Sequence, residues 1–186
     1  MKKLNIDELQ KERISVEEFK EATKMPLIVV LDNVRSLHNV GSVFRTSDAF
    51  LVQSIYLCGI SILNPEESDE LHKTALGAEC TVDWKYYKDT LQAIKNLQAD
   101  GYIIYAIEQV KDSVKLQSLH LDASNKKYAV VFGHEVKGVQ QQVVDVCQGC
   151  IEIPQFGTKH SLNVSVTAGI VIWEFANQLK LKKSIK

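Results

Sequence analysis

Arginine, net charge and long apolar runs are all scarce in this chain, and each scarcity excludes something. Of 22 basic residues only Arg13, Arg35 and Arg45 are arginines, and the formal net charge is -1. There is no global basic signature for nucleic-acid binding, so any such function has to rest on local clustering. No apolar run approaches the roughly 18–20 residues needed to cross a bilayer, and the opening MKKLNIDELQ lacks the apolar centre of a signal peptide. A cytoplasmic protein with reduced thiols and no membrane partner is expected. The pair Cys147 and Cys150 has CxxC spacing, but no second CxxC or HxxxH supplies further ligands. No metal site is expected, and the cysteines read as small buried side chains. The chain also lacks the Lys-Ser/Thr of a P-loop and a GxGxxG after an early strand, which weighs against a nucleotide-binding oxidoreductase.

At 186 residues and 45% hydrophobic, the sequence suits one domain of ordinary size. Residues 1–25 read as a charged helical arm, with Ser15 and Glu18 spaced as a capping box. Residues 26–180 read as the domain proper. Residues 181–186 extend a basic tail that, with Lys180, is either a phosphate-facing patch or a frayed, solvated helix end. Between arm and tail the pattern alternates. Strands are expected at 27–31, 54–58, 81–86, 102–108, 128–132 and 150–153. Helices are expected at 40–51, 66–77, 88–99, 138–146 and 162–179, with a loop at 111–121. Such alternation predicts an α/β fold with a mostly parallel sheet and helices on both faces.

Three polar, glycine-bearing loops each follow an apolar strand, where ligands gather in open parallel sheets. The first runs from Asp32 to Arg45, with Asn39 as a candidate helix cap and Gly41 permitting close approach. Arg45 lies about 9 Å along the helix from Asn39, and spacing leaves open an internal pair with Asp48 or a role in a site. The second, Gly133-His-Glu135-Val-Lys-Gly138, puts Glu135 at an expected helix start, where the dipole favours a carboxylate. His134 and His160 are either bases or ordinary loop histidines. The third runs from Ile153-Pro154 through Gly157 to Ser161-Leu162-Asn163-Val-Ser165, with Ser161 the expected N-cap of the last helix. That helix has almost no polar face, which predicts burial on most sides and a partner, most simply a second copy of the chain.

Together, Asn39-Val-Gly41 through Arg45, Phe132-Gly133-His-Glu135-Val-Lys-Gly138 and the IP-x-x-G to SLNVS stretch resemble the three motifs of the SpoU or TrmH family of SPOUT methyltransferases. The resemblance covers about residues 26 to 176. It implies S-adenosylmethionine-dependent methylation of a ribose 2′-hydroxyl in RNA, on an α/β fold closed by a C-terminal trefoil knot, and a cytoplasmic homodimer with its sites near the subunit interface. DNA, having no 2′-hydroxyl, is excluded as acceptor. The segment GYIIYAIEQ resembles tRNA guanosine members, so tRNA is the favoured partner, with rRNA or a non-catalytic RNA-binding dimer as alternatives. Only about 25 residues precede the first strand, so the family's N-terminal RNA-binding domain is expected to be absent. By the same resemblance Asn39, Arg45, Glu135, Ser161 and Asn163 line the reaction site, and backbone groups at Ile107, Glu108, Gly133, Ile153 and Leu162 hold the cofactor.

Overall fold

The computed structural model describes residues 2–11 and 13–181, so the expected tail beyond residue 181 lies outside the described residues. Two short helices come first, α1 (Ile6–Lys11) and α2 (Val16–Glu21). The Ser15 hydroxyl accepts the Glu18 N–H while the Glu18 carboxylate accepts the Ser15 N–H, which is the expected capping box. There follow β1 (Met25–Asp32), α3 (Leu37–Ala49), β2 (Val52–Cys58), α4 (Asp69–Ala75), α5 (Ala78–Thr81), β3 (Trp84–Tyr87), α6 (Thr90–Ala99), β4 (Tyr102–Ile107), β5 (Val114–Lys115), β6 (Lys127–Gly133), α7 (Gln141–Val144), β7 (Gly149–Glu152) and α8 (Val164–Ala176).

Among the described residues the strands form one seven-stranded sheet in the order β3-β2-β1-β6-β4-β7-β5, and each pairing is parallel. The unbroken apolar run of β1 has a simple cause. Leu27, Val29 and Leu31 face one core with α3, α4 and α8, while Ile28 and Val30 face the other with α6 and α7. A strand buried on both sides has no use for polar alternation. Register then aligns the carboxyl ends, with Asp32 opposite both Cys58 and Gly133, and Ile107 opposite Ile151. Because β6 is inserted between β1 and β4, the strand order reverses there, and a crevice opens outside those ends.

Several boundaries differ from expectation. Helix α3 begins earlier because Ser36, not Asn39, is its cap, its hydroxyl accepting the Asn39 N–H at 3.3 Å. Asn39 therefore sits inside the first turn with its amide free for other work. The expected strand at 81–86 is displaced to Trp84–Tyr87, because the preceding residues close a helical turn fixed by Thr81, whose hydroxyl meets the Ala78 carbonyl at 3.2 Å and Asp48 Oδ2 at 2.6 Å. That contact also occupies Asp48, and among the described residues no ion pair joins it to Arg45. Helix α8 is capped by Asn163 instead of Ser161: its Oδ1 accepts the N–H groups of Ser165 (2.8 Å) and Val166 (3.4 Å). Nor is α8 buried all round. Ala168, Val171, Ile172 and Phe175 enter the core, whereas Val166, Ile170 and Trp173 form a stripe that is 38–50% exposed.

Candidate active site

A cavity of about 680 Å³ opens at the carboxyl ends of β4, β6 and β7. Its floor is apolar, with Phe132, Ile151 and Ile107, and its rim is made by the loops 133–140 and 153–163. The volume falls within the range of roughly 300–1,000 Å³ usual for small-molecule sites. All five residues expected to hold a cofactor, Ile107, Glu108, Gly133, Ile153 and Leu162, line it, as do Glu135, Ser161 and Asn163. His134 and His160 line it too.

The loop 133–140 keeps its shape through close backbone packing. His134 and Gly138 exchange N–H···O bonds at 3.1 and 2.8 Å. A side chain at Gly133 would collide with the backbone of Gly138 and Val139, so only glycine lets the strand fold back so tightly. The Glu108 carboxylate fixes the far side of the turn, accepting the Val139 N–H at 3.0 Å and that of Gln109 at 2.9 Å. The Gln109 amide in turn donates to the His160 carbonyl at 2.8 Å. The end of β4 thus holds both rim loops.

Glu135 does not sit at the start of its own helix, as expected, but reaches across to the start of α3. Its carboxylate accepts the N–H groups of Ser36 (2.9 Å) and Arg35 (3.2 Å) and the Asn39 side-chain amide (3.1 Å). A carboxylate there also faces the positive end of the helix dipole. Burial pushes the Glu135 carboxyl upward, but the hydrogen bonds from the N–H groups of Ser36, Glu135 itself and Arg35 and from the Asn39 amide outweigh it, leaving the group below its ordinary value. Asn39 continues the chain by accepting the Asn163 amide at 3.1 Å. Asn163 therefore caps α8 with its oxygen and grips α3 with its nitrogen. Three residues far apart in sequence, Asn39, Glu135 and Asn163, form one relay beside the cavity, with Ser161 on the adjoining rim.

Arg45 lies elsewhere. It is exposed on the outer face of α3 and lines a shallow groove with Ser42, Thr46, Ala49, Phe50, Lys73 and Thr74, sharing no lining residue with the cavity. A further contributor escaped the sequence reading. Asp32, fully buried at the end of β1, accepts the Gln140 N–H (2.9 Å) and side-chain amide (2.7 Å), the Thr90 hydroxyl (2.6 Å) and the Asn33 amide (2.8 Å). A carboxylate ending an otherwise apolar strand was the available signal.

Against known proteins, the family model described as the SpoU rRNA methylase family matches residues 26–173. The chain is 29% identical over 174 residues to a tRNA (guanosine(18)-2′-O)-methyltransferase of Thermus thermophilus, spanning 93% of this chain and 85% of that protein. It is 32% identical over 161 residues to the 23S rRNA (guanosine-2′-O-)-methyltransferase RlmB of Neisseria meningitidis, spanning 84% of this chain and 60% of that one. Its fold superposes on the crystal structure of the A. aeolicus TrmH/SpoU tRNA modifying enzyme with a TM-score of 0.77 at 28% identity, covering 94% of this chain and 86% of the other.

Proposed function

The chain belongs to the SpoU rRNA methylase family, and from that premise we propose that it transfers a methyl group from S-adenosylmethionine to a ribose 2′-hydroxyl of RNA, with guanosine in tRNA the favoured target. The observation that carries this reading is the Asn163–Asn39–Glu135 relay at the mouth of a cofactor-sized cavity. The likeness to the tRNA enzyme over nearly its full length supports tRNA. Ribosomal RNA is the second reading, favoured by the likeness to the rRNA enzyme.

The cavity's chemistry fits the cofactor. Apolar walls and strand-end backbone groups suit a nucleoside, and the carboxylates Glu108, Glu135 and Glu152 outnumber the single lysine, Lys137, around it, a field that favours a cation. When bound, S-adenosylmethionine supplies a methyl group on a cationic sulfonium. The protein's part is to hold the 2′-oxygen in line with it, and such positioning can lower the barrier by several kcal/mol, about 7–11 at best. Ser161 and Asn163 are placed to orient that hydroxyl. Guanidinium groups stay protonated in proteins, so Arg45 is assigned as a bidentate clamp on the adjacent phosphate and not as the base.

Arg45 reaches a cavity through a second copy of the chain. Helices α3 and α8 run side by side, joined by Asn39 and Asn163 at one end and by the edge contact of Phe50 on Trp173 (5.6 Å between ring centres) at the other. A second copy packed on the exposed Val166, Ile170 and Trp173 stripe would put α3 and its Arg45 groove beside the subunit contact, where Arg45 is assigned to serve the partner's cavity. The trefoil knot is assigned to the segment from β6 to α8, whose two rim loops both wrap the end of β4.

Radiolabelled methyl transfer from S-adenosylmethionine to tRNA and, separately, to rRNA tests the reading. Label recovered in a 2′-O-methylnucleoside from tRNA is expected. Cofactor binding without label in either pool would overturn the catalytic assignment.

A further inference from the structure

We infer that the groove between α3 and α4 is an RNA phosphodiester subsite in which Lys73 is a second cationic contact beside Arg45, gripping a nucleotide that flanks the methylated one. This rests on the RNA methyltransferase reading above. Three observations carry it. The groove has a volume of about 450 Å³ and is lined by Ser42, Arg45, Thr46, Ala49, Phe50, Lys73 and Thr74, two cations and three hydroxyls with no carboxylate among them. Among the described residues neither cation is in an ion pair. Glu70, the acidic neighbour one turn before Lys73 on α4, is turned to His38 at 3.6 Å. Two unneutralised cations that line one groove repel, and a phosphate bound in it would relieve the repulsion.

The convergence is built into the backbone. A Cβ on Gly41 would overlap Thr74 Oγ1 and come within 2.6 Å of the Leu71 carbonyl oxygen. Glycine at this point lets α4 lie directly on α3, bringing Lys73 and Thr74 to the turn that carries Arg45. The three hydroxyls are already committed as donors: Ser42 to the His38 carbonyl (2.8 Å), Thr46 to that of Ser42 (3.0 Å) and Thr74 to that of Leu71 (3.1 Å). They therefore present lone pairs to the groove, which suits the hydroxyl proton of a neighbouring ribose. Arg45 supplies the planar fork and Lys73 a mobile point charge, so that one anchors the bound phosphodiester and the other adapts to it.

The test is equilibrium binding of a fluorescein-labelled unmodified tRNA transcript to the full chain at 50–200 mM salt, for wild type, Lys73→Ala and Lys73→Arg, with cofactor affinity measured in parallel. Loss of one phosphate contact lowers the slope of log K against log salt by about 0.7–0.9. Over this fourfold range the Lys73→Ala protein should lose about threefold less affinity than wild type, while binding more weakly throughout. The Lys73→Arg protein should keep the wild-type slope, and cofactor affinity should stay unmoved because the groove shares no lining residue with the cavity. A Lys73→Ala slope equal to wild type overturns the subsite and leaves the methyl-transfer reading standing. Wild-type protein that binds cofactor but not the transcript overturns the tRNA target and the subsite with it, leaving methyl transfer to rRNA standing.

Discussion

Replacing Glu135 by glutamine isolates the relay from the cavity walls. In wild type, Oε1 accepts the Ser36 N–H and the Asn39 amide, and Oε2 accepts the Arg35 N–H. Glutamine keeps one acceptor oxygen, so the Arg35 N–H is left facing an NH₂ group, and the other two bonds lose their charge assistance. Bonds to a charged group contribute about 1.5–3 kcal/mol and neutral ones about 0.5–1.5. The gross loss is then about 3.5–6 kcal/mol. The Glu135 side chain is 24% exposed, so water takes over part of the lost pairing, and a net destabilisation of about 2 kcal/mol is expected. For a chain of this size that is about 4–8 °C in Tm. Denaturant unfolding also carries a pH signature. The folded-state pKa of Glu135 is lowered from 4.5, so the unfolded chain takes up the proton first. The stabilisation is complete above the unfolded value and drains away as pH falls through the window below 4.5. The gap between wild type and Glu135→Gln should therefore be flat over about pH 6–8 and close on acidification. Equal stabilities at neutral pH, or a gap that ignores acidification, would refute the reasoning.

Other substitutions separate roles that the structure combines. Asn163→Asp keeps the cap oxygen but sets a carboxylate oxygen against Asn39 Oδ1, so thermal unfolding should show a loss of about 1–3 kcal/mol and methyl transfer should fall; Asn163→Ala also removes the cap and should lose about 1–2 kcal/mol for that alone. Asp32→Asn opposes an amide to donors at a fully buried site and should cost about 2–4 kcal/mol in denaturant titration. Trp173→Glu should give monomers by analytical ultracentrifugation with cofactor binding retained, since Trp173 does not line the cavity. Burial pushes the Cys58 and Cys147 thiols up to about 12, so native-state alkylation near neutral pH should mark the exposed Cys80 long before either.

What the sequence made legible follows from which interactions are local. The strand–helix alternation and the buried centre of β1 are properties of short windows, and they were read correctly. The three polar loops fall at one end of the sheet because parallel strands share a direction, whereas the individual cavity residues were named from the family resemblance, which also reaches Ile107 and Glu108 outside those loops. The errors lie where the competing partner is distant in sequence. Ser36 and Asn39 are comparable caps by composition, and Ser161 and Asn163 likewise. The choice falls as it does because the freed Asn39 amide meets Glu135, 96 positions away, and the Asn163 amide meets Asn39, 124 away. The Asn163 oxygen caps α8 while its nitrogen is satisfied across the crevice. Cap selection and site assembly are therefore one event, and no window along the chain contains both halves of it. The same holds for α8. Its uniform hydrophobicity announces that every side must be covered, yet the core of one chain covers only the side bearing Ala168, Val171, Ile172 and Phe175. The stripe of Val166, Ile170 and Trp173 stays exposed in the single chain, which is where the proposed second copy would pack, and the separation of Arg45 from the cavity it is assigned to serve accords with that proposal. On this view the site and the subunit contact are specified by the same helix, so a change on its outer stripe should reach the chemistry without touching a cavity residue.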